Sequence, residues 1–493
     1  MKVNIVGGGT AGLIAALVIK KTFPLYEVTI IESDSIGIIG VGEGSTEHWK
    51  QFIDYCDINV YSLVRETDGA LKKGIKFENW NGDGESYFHS LAEPFYSEYN
   101  TDFGQRNNFV KTLIANNIKT EDILLETNLT SYHAGITSVN QYHFNTVKLN
   151  EYLHKICKLR EITIVKETIT DVNIGSNGDI TSLTAESGVT YSADFFVDST
   201  GFKRLLIGKL GSKWRSYKKY LPMNHALAFP TEDVSDLKPY TLSRALSSGW
   251  NWRISTRGRY GNGYVFCDDF IDSTKAHDEV QSVYSEKVNV AKDIKFEAGC
   301  VDKFWINNCV AIGLSASFVE PLEASSIGNT ILQSIGLARM LPGWFVNKDK
   351  TSKHYDETFT QSFDNIVDFV QLHYFTKRDD TPFWKALPSM MEPTDFVREH
   401  LPLFKKTLPI QSYFGDGGYR MFNAPNWAQV MVGLGMVDKD YITSGLYNTS
   451  GGDAVTEQLK SYETYVRNQQ NAILIDHTSL LNVNQIVLKI DRP

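Results

Sequence analysis

The sequence lacks the patterns that indicate a metal site, a disulfide scaffold or a membrane span. Its 493 residues include five cysteines, none of them in a CxxC pair or beside a cluster of histidines. Such scattered cysteines argue against both a zinc site and a disulfide framework. No window approaches about 18 uninterrupted apolar residues, so no membrane-spanning helix is predicted. We expect no metal and no membrane association.

The sequence also lacks the basic stretch that a nucleic-acid-binding surface needs. Lys and Arg number 49 against 58 Asp and Glu, which gives a formal net charge of −9. Nucleic acid is therefore not expected as a partner. The apolar start of the chain is interrupted by three consecutive glycines and does not follow the pattern of a secretory signal. A cytoplasmic location is expected.

What the sequence does contain is a glycine-rich loop between a strand pattern and a helix pattern. The apolar run Val3–Val6 predicts a buried strand, Gly7-x-Gly9-x-x-Gly12 follows directly, and an Ala/Leu/Ile-rich run then predicts a helix. Gly7 would allow the tight turn, Gly9 would admit a pyrophosphate, and Gly12 would let helix and strand pack closely. A second strand pattern ends at Glu32, where a carboxylate can accept ribose hydroxyls. The pattern predicts a dinucleotide site, against the weaker alternative of a loop that only turns the chain.

Three later segments favour FAD over a nicotinamide as the dinucleotide. Residues 40–46 are rich in glycine and hydroxyl side chains, and residues 195–201 and 309–314 each have the pattern of a strand running into a glycine. Several distant segments that return to one cofactor indicate a large ligand. No second GxGxxG follows a convincing strand, so we expect no NAD(P)H site in this chain.

The predicted fold class is α/β, with an FAD-binding Rossmann-like box of the flavin monooxygenase type. A chain of this length exceeds what one core usually supports. Aromatic, threonine-rich runs with glycines predict a substrate-side β-sheet inserted at about 216–290 within a cofactor unit that spans 1–341. Apolar residues at helical spacing, as in 360–370, predict a largely helical substrate-binding subdomain over 342–493.

Several motifs, taken in order along the chain, resemble those of the flavin-dependent tryptophan halogenases. They are Val6–Gly12, Gly40–Glu43, Gly69–Lys72 with Ile75–Trp80, the Trp-x-Trp-x-Ile run Trp250–Ile254, Phe318–Glu323 and His373–Trp384. The match is colinear over roughly residues 1–436. Together these motifs are highly specific, although each alone is modest.

The resemblance implies a two-component enzyme. Reduced FAD (FADH2) from a separate NAD(P)H-dependent flavin reductase would react with O2 and halide to give hypohalous acid. Lys72 would hold this oxidant by hydrogen bonding or as a haloamine, and Glu323 would accept the proton that the aromatic ring loses. Lys73 and Lys76 lie nearby, but Lys72 is the lysine that matches the motif. Glu320, three residues before Glu323, is interpreted as a structural acid because Pro321 argues against a helix there.

The resemblance also implies the residues around the cofactor and the halide. The implied cofactor contacts are Gly7, Gly9, Thr10, Ala11, Gly12, Glu32, Gly42, Glu43, Ile169, Leu314, Ser326 and Ile327. Backbone amides at Ser325 and Ser326 would hold the halide. Trp250 and Trp252 would form a barrier between flavin and substrate, with ordinary sheet core as the alternative interpretation.

The substrate end departs from the family pattern. His89, Leu91, Phe422 and Asn426 fall at substrate-binding positions, but Leu91 replaces a phenylalanine, and the residues that recognise the amino-acid part have no clear counterpart in 411–419. We therefore expect a relaxed range of electron-rich aromatics, such as indoles or phenols. Ala324 and Ser326 depart from the family's halide segment and leave halide preference open, with bromide or iodide favoured.

Three readings follow, in order of preference. The first is a halogenase, the second an FAD-dependent aromatic hydroxylase, and the third a non-catalytic protein with an FAD fold. Members of the family often form dimers, so a homodimer is a further expectation.

Overall fold

The computed structural model describes residues 1–34, 37, 43–72, 74–90, 141–232, 238, 240–415 and 418–444. All five cysteines lie within these ranges, and each is buried and unpaired. A search of the same ranges found no helix with the length and apolar character needed to cross a bilayer.

The cofactor-binding part is built on a mainly parallel sheet. Within the described residues its strands run in the spatial order Trp305–Ile306, Cys309–Ala311, Phe195–Asp198, Lys2–Val6, Glu27–Glu32 and Thr163–Lys166. All neighbours are parallel except the first pair. The apolar runs in these strands suit a parallel sheet, because both of its faces are buried. The predicted α/β class with a Rossmann-like FAD-binding topology is confirmed.

A second, mostly antiparallel sheet lies beside the cofactor unit. Its described strands follow the order Lys292–Lys295, His225–Thr231, Arg259–Phe266, Gly249–Thr256, Thr241–Ala245, Gly74–Glu78 and Ser86–Ser90. The last two strands come from well before the segment 216–290 in which the sheet was expected. Gly74–Glu78 joins the sheet by pairing in parallel with Thr241–Ala245. This pairing carries the Lys72 motif to the edge of the second sheet.

Smaller sheets complete the strand structure. One contains Thr190–Tyr191, Ile180–Ala185 and Ile169–Ile174, and another contains Trp214–Ser216, Gly299–Val301 and Ser317–Phe318. In a third, Tyr142–Phe144 pairs with both Glu43–Gly44 and Ala70–Leu71. The Lys72 N–H extends this last pairing by donating to the Gln141 carbonyl at 3.1 Å. Residues 43–44 and 70–71 therefore lie on opposite sides of the same middle strand, and Lys72 follows directly.

The helices pack on the first sheet and then form the C-terminal region. The described α-helices are Thr10–Thr22, His48–Tyr55, Val60–Glu66, Thr146–Leu159, Leu205–Lys209, Ser273–Val283, Ser325–Val346, Lys348–Leu372, Pro382–Met390, Asp395–Thr407, Ala424–Gly433 and Lys439–Ser444. Short 3₁₀ turns occupy Gly201–Lys203, Gly313–Ser315, Pro321–Glu323 and Gln411–Tyr413.

One long helix links the cofactor unit to the helical region. Ser325–Val346 packs against both Thr10–Thr22 and Lys348–Leu372. Its residues facing these neighbours are buried and predominantly apolar. The domain boundary predicted between residues 341 and 342 falls inside this helix, and the division into two domains stays a prediction.

Candidate active site

A cavity of about 700 Å³ lies at the carboxyl ends of the parallel strands. Its wall includes the residues that directly follow four of these strands, at Gly7, Ser33, Glu167 and Ser199, and also Gly313, two residues after a fifth. In open parallel sheets, ligands bind at this edge, where loops and helix N-termini converge. The cavity therefore has the position in the fold where the predicted dinucleotide would bind.

The glycine loop has the close approaches that its pattern predicts. A Cβ placed on Gly7, whose φ is +116°, would lie 2.3 Å from the Ser199 carbonyl oxygen. A Cβ on Gly12 would lie 2.0 Å from the Gly7 carbonyl oxygen, so helix and strand touch there. Apart from its two chain neighbours, no atom of the described residues stands within 4 Å of the corresponding position on Gly9. The backbone at Gly9 is thus open for a pyrophosphate beside the N-terminus of Thr10–Thr22, and the loop fits FAD.

The Glu32 carboxylate lies in the same cavity and is held by a histidine and a lysine. His154 Nε2 lies 2.8 Å from one carboxylate oxygen, and Lys166 Nζ lies 2.6 Å from the other. Burial raises the pKa of Glu32, but hydrogen bonds from His154 and Lys166 outweigh burial and lower it. A Cβ on Gly8 would lie 1.4 Å from Glu32 Oε2, so the carboxylate needs a glycine at that position. Glu32 is therefore ionised, and its contact with a ribose stays a prediction.

Most of the other residues implied to contact the cofactor line this cavity. They are Thr10, Ala11, Ile169, Leu314, Ser326 and Ile327. Gly12 lies behind the loop and acts through packing. Gly42 lies outside the described residues, as does the side chain of Glu43, and their contacts stay predictions.

The Lys72 side chain approaches the cavity wall from the protein interior. Its side chain is 1% exposed, and Nζ donates to the Ser45 carbonyl at 2.9 Å. A Cβ on Gly44 would lie 3.6 Å from Lys72 Nζ, 3.6 Å from Thr241 Oγ1 and 3.5 Å from Ala324 Cβ. Gly44, Thr241 and Ala324 all line the cavity. One glycine therefore marks the point where the lysine amine meets the cofactor space.

Burial changes the chemistry of this amine. It lowers the pKa of Lys72 to about 8, although the charges of Glu323 and Glu47 act in the opposite direction. At pH 7 about one-tenth of the amine is therefore uncharged and nucleophilic. An exposed lysine would be almost fully protonated under the same conditions.

Glu323 is fully buried between two histidines. Its carboxylate lies 2.9 Å from His89 Nδ1 and 2.9 Å from His373 Nε2. Burial alone would raise the pKa of Glu323, but the two histidines outweigh it and bring it to about 2. Glu323 is an anion at neutral pH. Within the described residues no group of three or more His, Cys, Asp or Glu side chains is arranged to hold a metal ion.

The chain after Glu323 forms the start of the long helix. Ala324 adopts a left-handed conformation with φ of +53°, and Ser325–Val346 begins at once. The first backbone N–H groups of a helix have no partner within it and carry the positive end of its dipole. Ser326 lines the cavity, whereas Ser325 is buried. The predicted halide segment therefore lies at a helix N-terminus on the cavity wall.

The sequence model of the family described as tryptophan halogenase matches residues 2–445. The chain belongs to this family. A tryptophan 7-halogenase from Lentzea aerocolonigenes is 29% identical over 478 residues, covering 88% of this chain and 90% of that protein. A solved flavin-dependent halogenase from Xanthomonas campestris is 28% identical with a TM-score of 0.80, covering 94% of this chain and 95% of that one. A solved tryptophan 6-halogenase from Streptomyces toxytricini is 26% identical with a TM-score of 0.81, covering 94% and 96%.

Family membership confirms the resemblance found from the motifs. The protein is a flavin-dependent enzyme of the halogenase class, which relies on a separate flavin reductase. The cavity and its glycine loop supply the matching place for an FAD-type cofactor.

In this tryptophan halogenase family member, the Trp pair lies on one face of a strand, as its spacing predicts. The indoles of Trp250 and Trp252 have ring centroids 6.1 Å apart, and Trp252 lines the cavity. Trp250 Nε1 donates to Glu320 Oε1 at 3.1 Å, and the Tyr374 hydroxyl donates to the same oxygen. Glu320 is therefore a buried hydrogen-bonding acid, as interpreted from the sequence. The role of the pair as a barrier stays a prediction.

The predicted substrate residues gather around Glu323 and not on an open surface. His89 and Asn426 are fully buried, and Asn426 Nδ2 lies 3.0 Å from His89 Nε2. Phe422 is buried and stacks on Phe369 with ring centroids 4.2 Å apart. Leu91 lies outside the described residues. Contact of these residues with a substrate stays a prediction.

Sequence reasoning missed several residues that contact the predicted ones. They are Ser45 and Gly44 beside Lys72, Thr241 on the cavity wall, His154 and Lys166 on Glu32, and His373 and Tyr87 near Glu323. His373 stands in one of the family motifs, and Gly44 and Ser45 stand in the glycine-rich segment 40–46, so these positions were the available signals. The others come from segments that only the tertiary fold brings together.

Proposed function

We propose that this protein uses FADH2, O2 and halide to form hypohalous acid in the cavity and transfers the halogen through Lys72 to an electron-rich aromatic. The observation that carries the proposal is the meeting of Lys72 Nζ, Thr241 and Ala324 at Gly44. Bound reduced FAD, with O2 and halide, would supply the oxidant. The amine, which lies next to the cavity wall at Gly44, could then receive it.

The charges of Lys72 and Glu323 suit the capture of hypohalous acid and the transfer of its halogen to the ring. The uncharged fraction of Lys72 can accept a halogen from hypohalous acid, and the protonated fraction can hold the acid by a hydrogen bond. Glu323, an anion buried near the lysine, can accept the proton that leaves the ring when the halogen has been added. The oxygen of the hypohalous acid departs as water. When the ring takes the halogen, the nitrogen–halogen bond breaks, and a proton equivalent to the one lost by the ring returns to the nitrogen and restores the lysine amine.

The finer specificity rests on departures from the family pattern. Ala324 and Ser326 alter the segment proposed to bind halide, and we propose a preference for bromide or iodide, which are larger and more easily oxidised. The short stretch 411–419 and Leu91 suggest an indole or phenol substrate and a relaxed range. A homodimer and a cytoplasmic location stay predictions.

The test is an incubation with FAD, a flavin reductase, NADH, bromide and indole, followed by mass spectrometry. Brominated indole supports the proposal, and omission of bromide should abolish that product. Hydroxylated indole would instead indicate an aromatic monooxygenase. Absence of turnover across chloride, bromide, iodide and a panel of indoles and phenols would favour a non-catalytic FAD-binding protein.

A further inference from the structure

Glu323 is held by two histidines, and each histidine has a second partner on its other ring nitrogen. His89 Nδ1 lies 2.9 Å from Glu323 Oε2, and His373 Nε2 lies 2.9 Å from Oε1. All three side chains are fully buried. Which ring nitrogen carries the proton therefore decides whether each histidine offers Glu323 a donor or a lone pair.

For His89, the tautomer follows from the orientation of Asn426. The backbone N–H of Asn423 donates to Asn426 Oδ1 at 2.8 Å, which turns the amide NH2 of Asn426 toward His89. Asn426 Nδ2 lies 3.0 Å from His89 Nε2, so Nε2 must accept. Nδ1 then carries the ring proton and donates it to Glu323.

For His373, the tautomer follows from Tyr87. The Tyr87 hydroxyl lies 2.8 Å from His373 Nδ1. Burial and the Glu323 charge raise the pKa of Tyr87 well above its ordinary value, so the phenol keeps its proton and donates it. Burial lowers the pKa of His373 and keeps the ring neutral. Its proton therefore resides on Nε2, close to Glu323 Oε1, although the contact is poorly aligned for a hydrogen bond.

We propose that Tyr87 and Asn426 are positioning residues that fix the tautomers of His373 and His89, so that both histidines present an N–H to Glu323. The titratable groups that face Glu323 are His89, His373, Tyr87 and Lys72. With both N–H groups directed inward, the carboxylate has one preferred orientation. The proposal rests on the role of Glu323 in the proposed function and adds two residues that need not touch substrate or flavin.

Tyr87→Phe is the sharpest test because it removes one hydroxyl and leaves the ring. The Tyr87 ring stacks on Phe77 with centroids 4.7 Å apart, and it packs so closely on Gly433 that a Cβ there would lie 2.4 Å from it. Phenylalanine keeps these contacts. Nitrogen-15 NMR of histidine-labelled protein reads the tautomer of His373 directly, and His373→Gln assigns its signals. This measurement does not depend on halogenation.

We expect wild-type His373 to show the tautomer with the proton on Nε2 and Tyr87→Phe to show a mixture. The kcat for halogenation should fall about fivefold, the worth of one hydrogen bond, with the KM for the aromatic changed by less than about twofold. An unchanged His373 tautomer in Tyr87→Phe would overturn the proposal. So would a raised KM with an unchanged kcat, which would indicate substrate contact. Lack of halogenation by the wild type would contradict the proposed function and leave the NMR comparison intact.

A double-mutant cycle supplies the second test. Glutamine at position 373 keeps an N–H donor but has no tautomers, so adding Tyr87→Phe to His373→Gln should change kcat by less than about twofold. If Tyr87→Phe lowers kcat by the same factor in His373→Gln as in the wild type, the two effects are independent, and this would contradict the proposal. If Tyr87→Phe does not fold, the comparison of His373→Gln with His373→Leu replaces it. Glutamine should retain more activity than leucine, and equal loss in both would refute the role of the N–H.

Discussion

Lys72→Met is expected to raise the free energy of unfolding near pH 7 while removing the group proposed to carry the halogen. Burial lowers the pKa of the Lys72 amine from its ordinary value of 10.5 to about 8. Each pH unit between the unfolded and folded values corresponds to about 1.4 kcal/mol. The charged amine therefore destabilises the folded protein by about 3 kcal/mol. Methionine fills a similar volume without a charge.

One lost hydrogen bond offsets part of this gain. Lys72 Nζ donates to the Ser45 carbonyl at 2.9 Å, and methionine leaves that buried oxygen without this donor. An unsatisfied buried acceptor costs about 1–2 kcal/mol. The net stabilisation by Lys72→Met at pH 7 should therefore be about 1–2 kcal/mol.

The pH dependence has a definite sign. Below about pH 8 the amine is protonated in both the folded and the unfolded chain, and its full cost is present. Between about pH 8 and 10.5 the unfolded chain binds a proton that the folded protein does not, so wild-type stability rises with pH relative to the variant. Above about pH 10.5 the amine is uncharged in both states, so burial of its charge no longer destabilises the folded protein. The lost hydrogen bond should then make Lys72→Met the less stable protein.

Urea unfolding at pH 7 and at pH 10 measures this difference. Lys76→Met is the matched control, because Lys76 is only partly buried and pairs with Glu78 at 3.6 Å. Lys76→Met should change the free energy of unfolding little, and the sign of its difference from wild type should not reverse between pH 7 and pH 10. A Lys72→Met variant that is less stable than wild type at pH 7, or whose difference does not change with pH, would refute the reasoning.

Three further substitutions test the cavity and its wall. Gly44→Val should fill the space beside Lys72 and reduce halogenation at least about tenfold. Gly44→Ala, whose Cβ would meet its neighbours at 3.5–3.6 Å, should be tolerated. Similar activity in both variants would argue against passage of the oxidant at Gly44. Gly8→Ala should displace the Glu32 carboxylate and weaken FAD binding at least about tenfold, as measured by fluorescence titration. An unchanged affinity for FAD would contradict the predicted contact between Glu32 and the ribose. Gly263→Ala would place a Cβ 2.0 Å from the Trp252 ring and should rotate it at the cavity wall, altering the fluorescence of bound flavin; an unchanged spectrum would exclude that contact.

Local pattern was sufficient to predict the cofactor half of the molecule. The order of strand, glycines, helix and Glu32 is encoded in one short stretch, and the close approaches at Gly7 and Gly12 are those that the spacing requires. Period-two spacing likewise placed Trp250 and Trp252 on one face. These features depend on neighbours in sequence, so a single chain reveals them.

The surroundings of the two proposed catalytic residues could not be predicted in the same way. The parallel pairing of Gly74–Glu78 with Thr241–Ala245 joins strands about 165 residues apart in the sequence. No periodic pattern in the sequence predicts this pairing. His373 meets Glu323 across a fold contact between a 3₁₀ turn and the end of a long helix. Resemblance supplied the identities of Lys72 and Glu323, whereas their burial and partners required the tertiary structure.

The most direct test of the central claim is the fate of the oxidant in Lys72→Met. Wild type and variant are supplied with the same FADH2, O2 and bromide, and free hypobromous acid and brominated indole are measured against oxygen consumed. The account predicts that Lys72→Met consumes oxygen, releases hypobromous acid into solution and makes little brominated indole at the wild-type position. Brominated indole at the wild-type rate and position would contradict it.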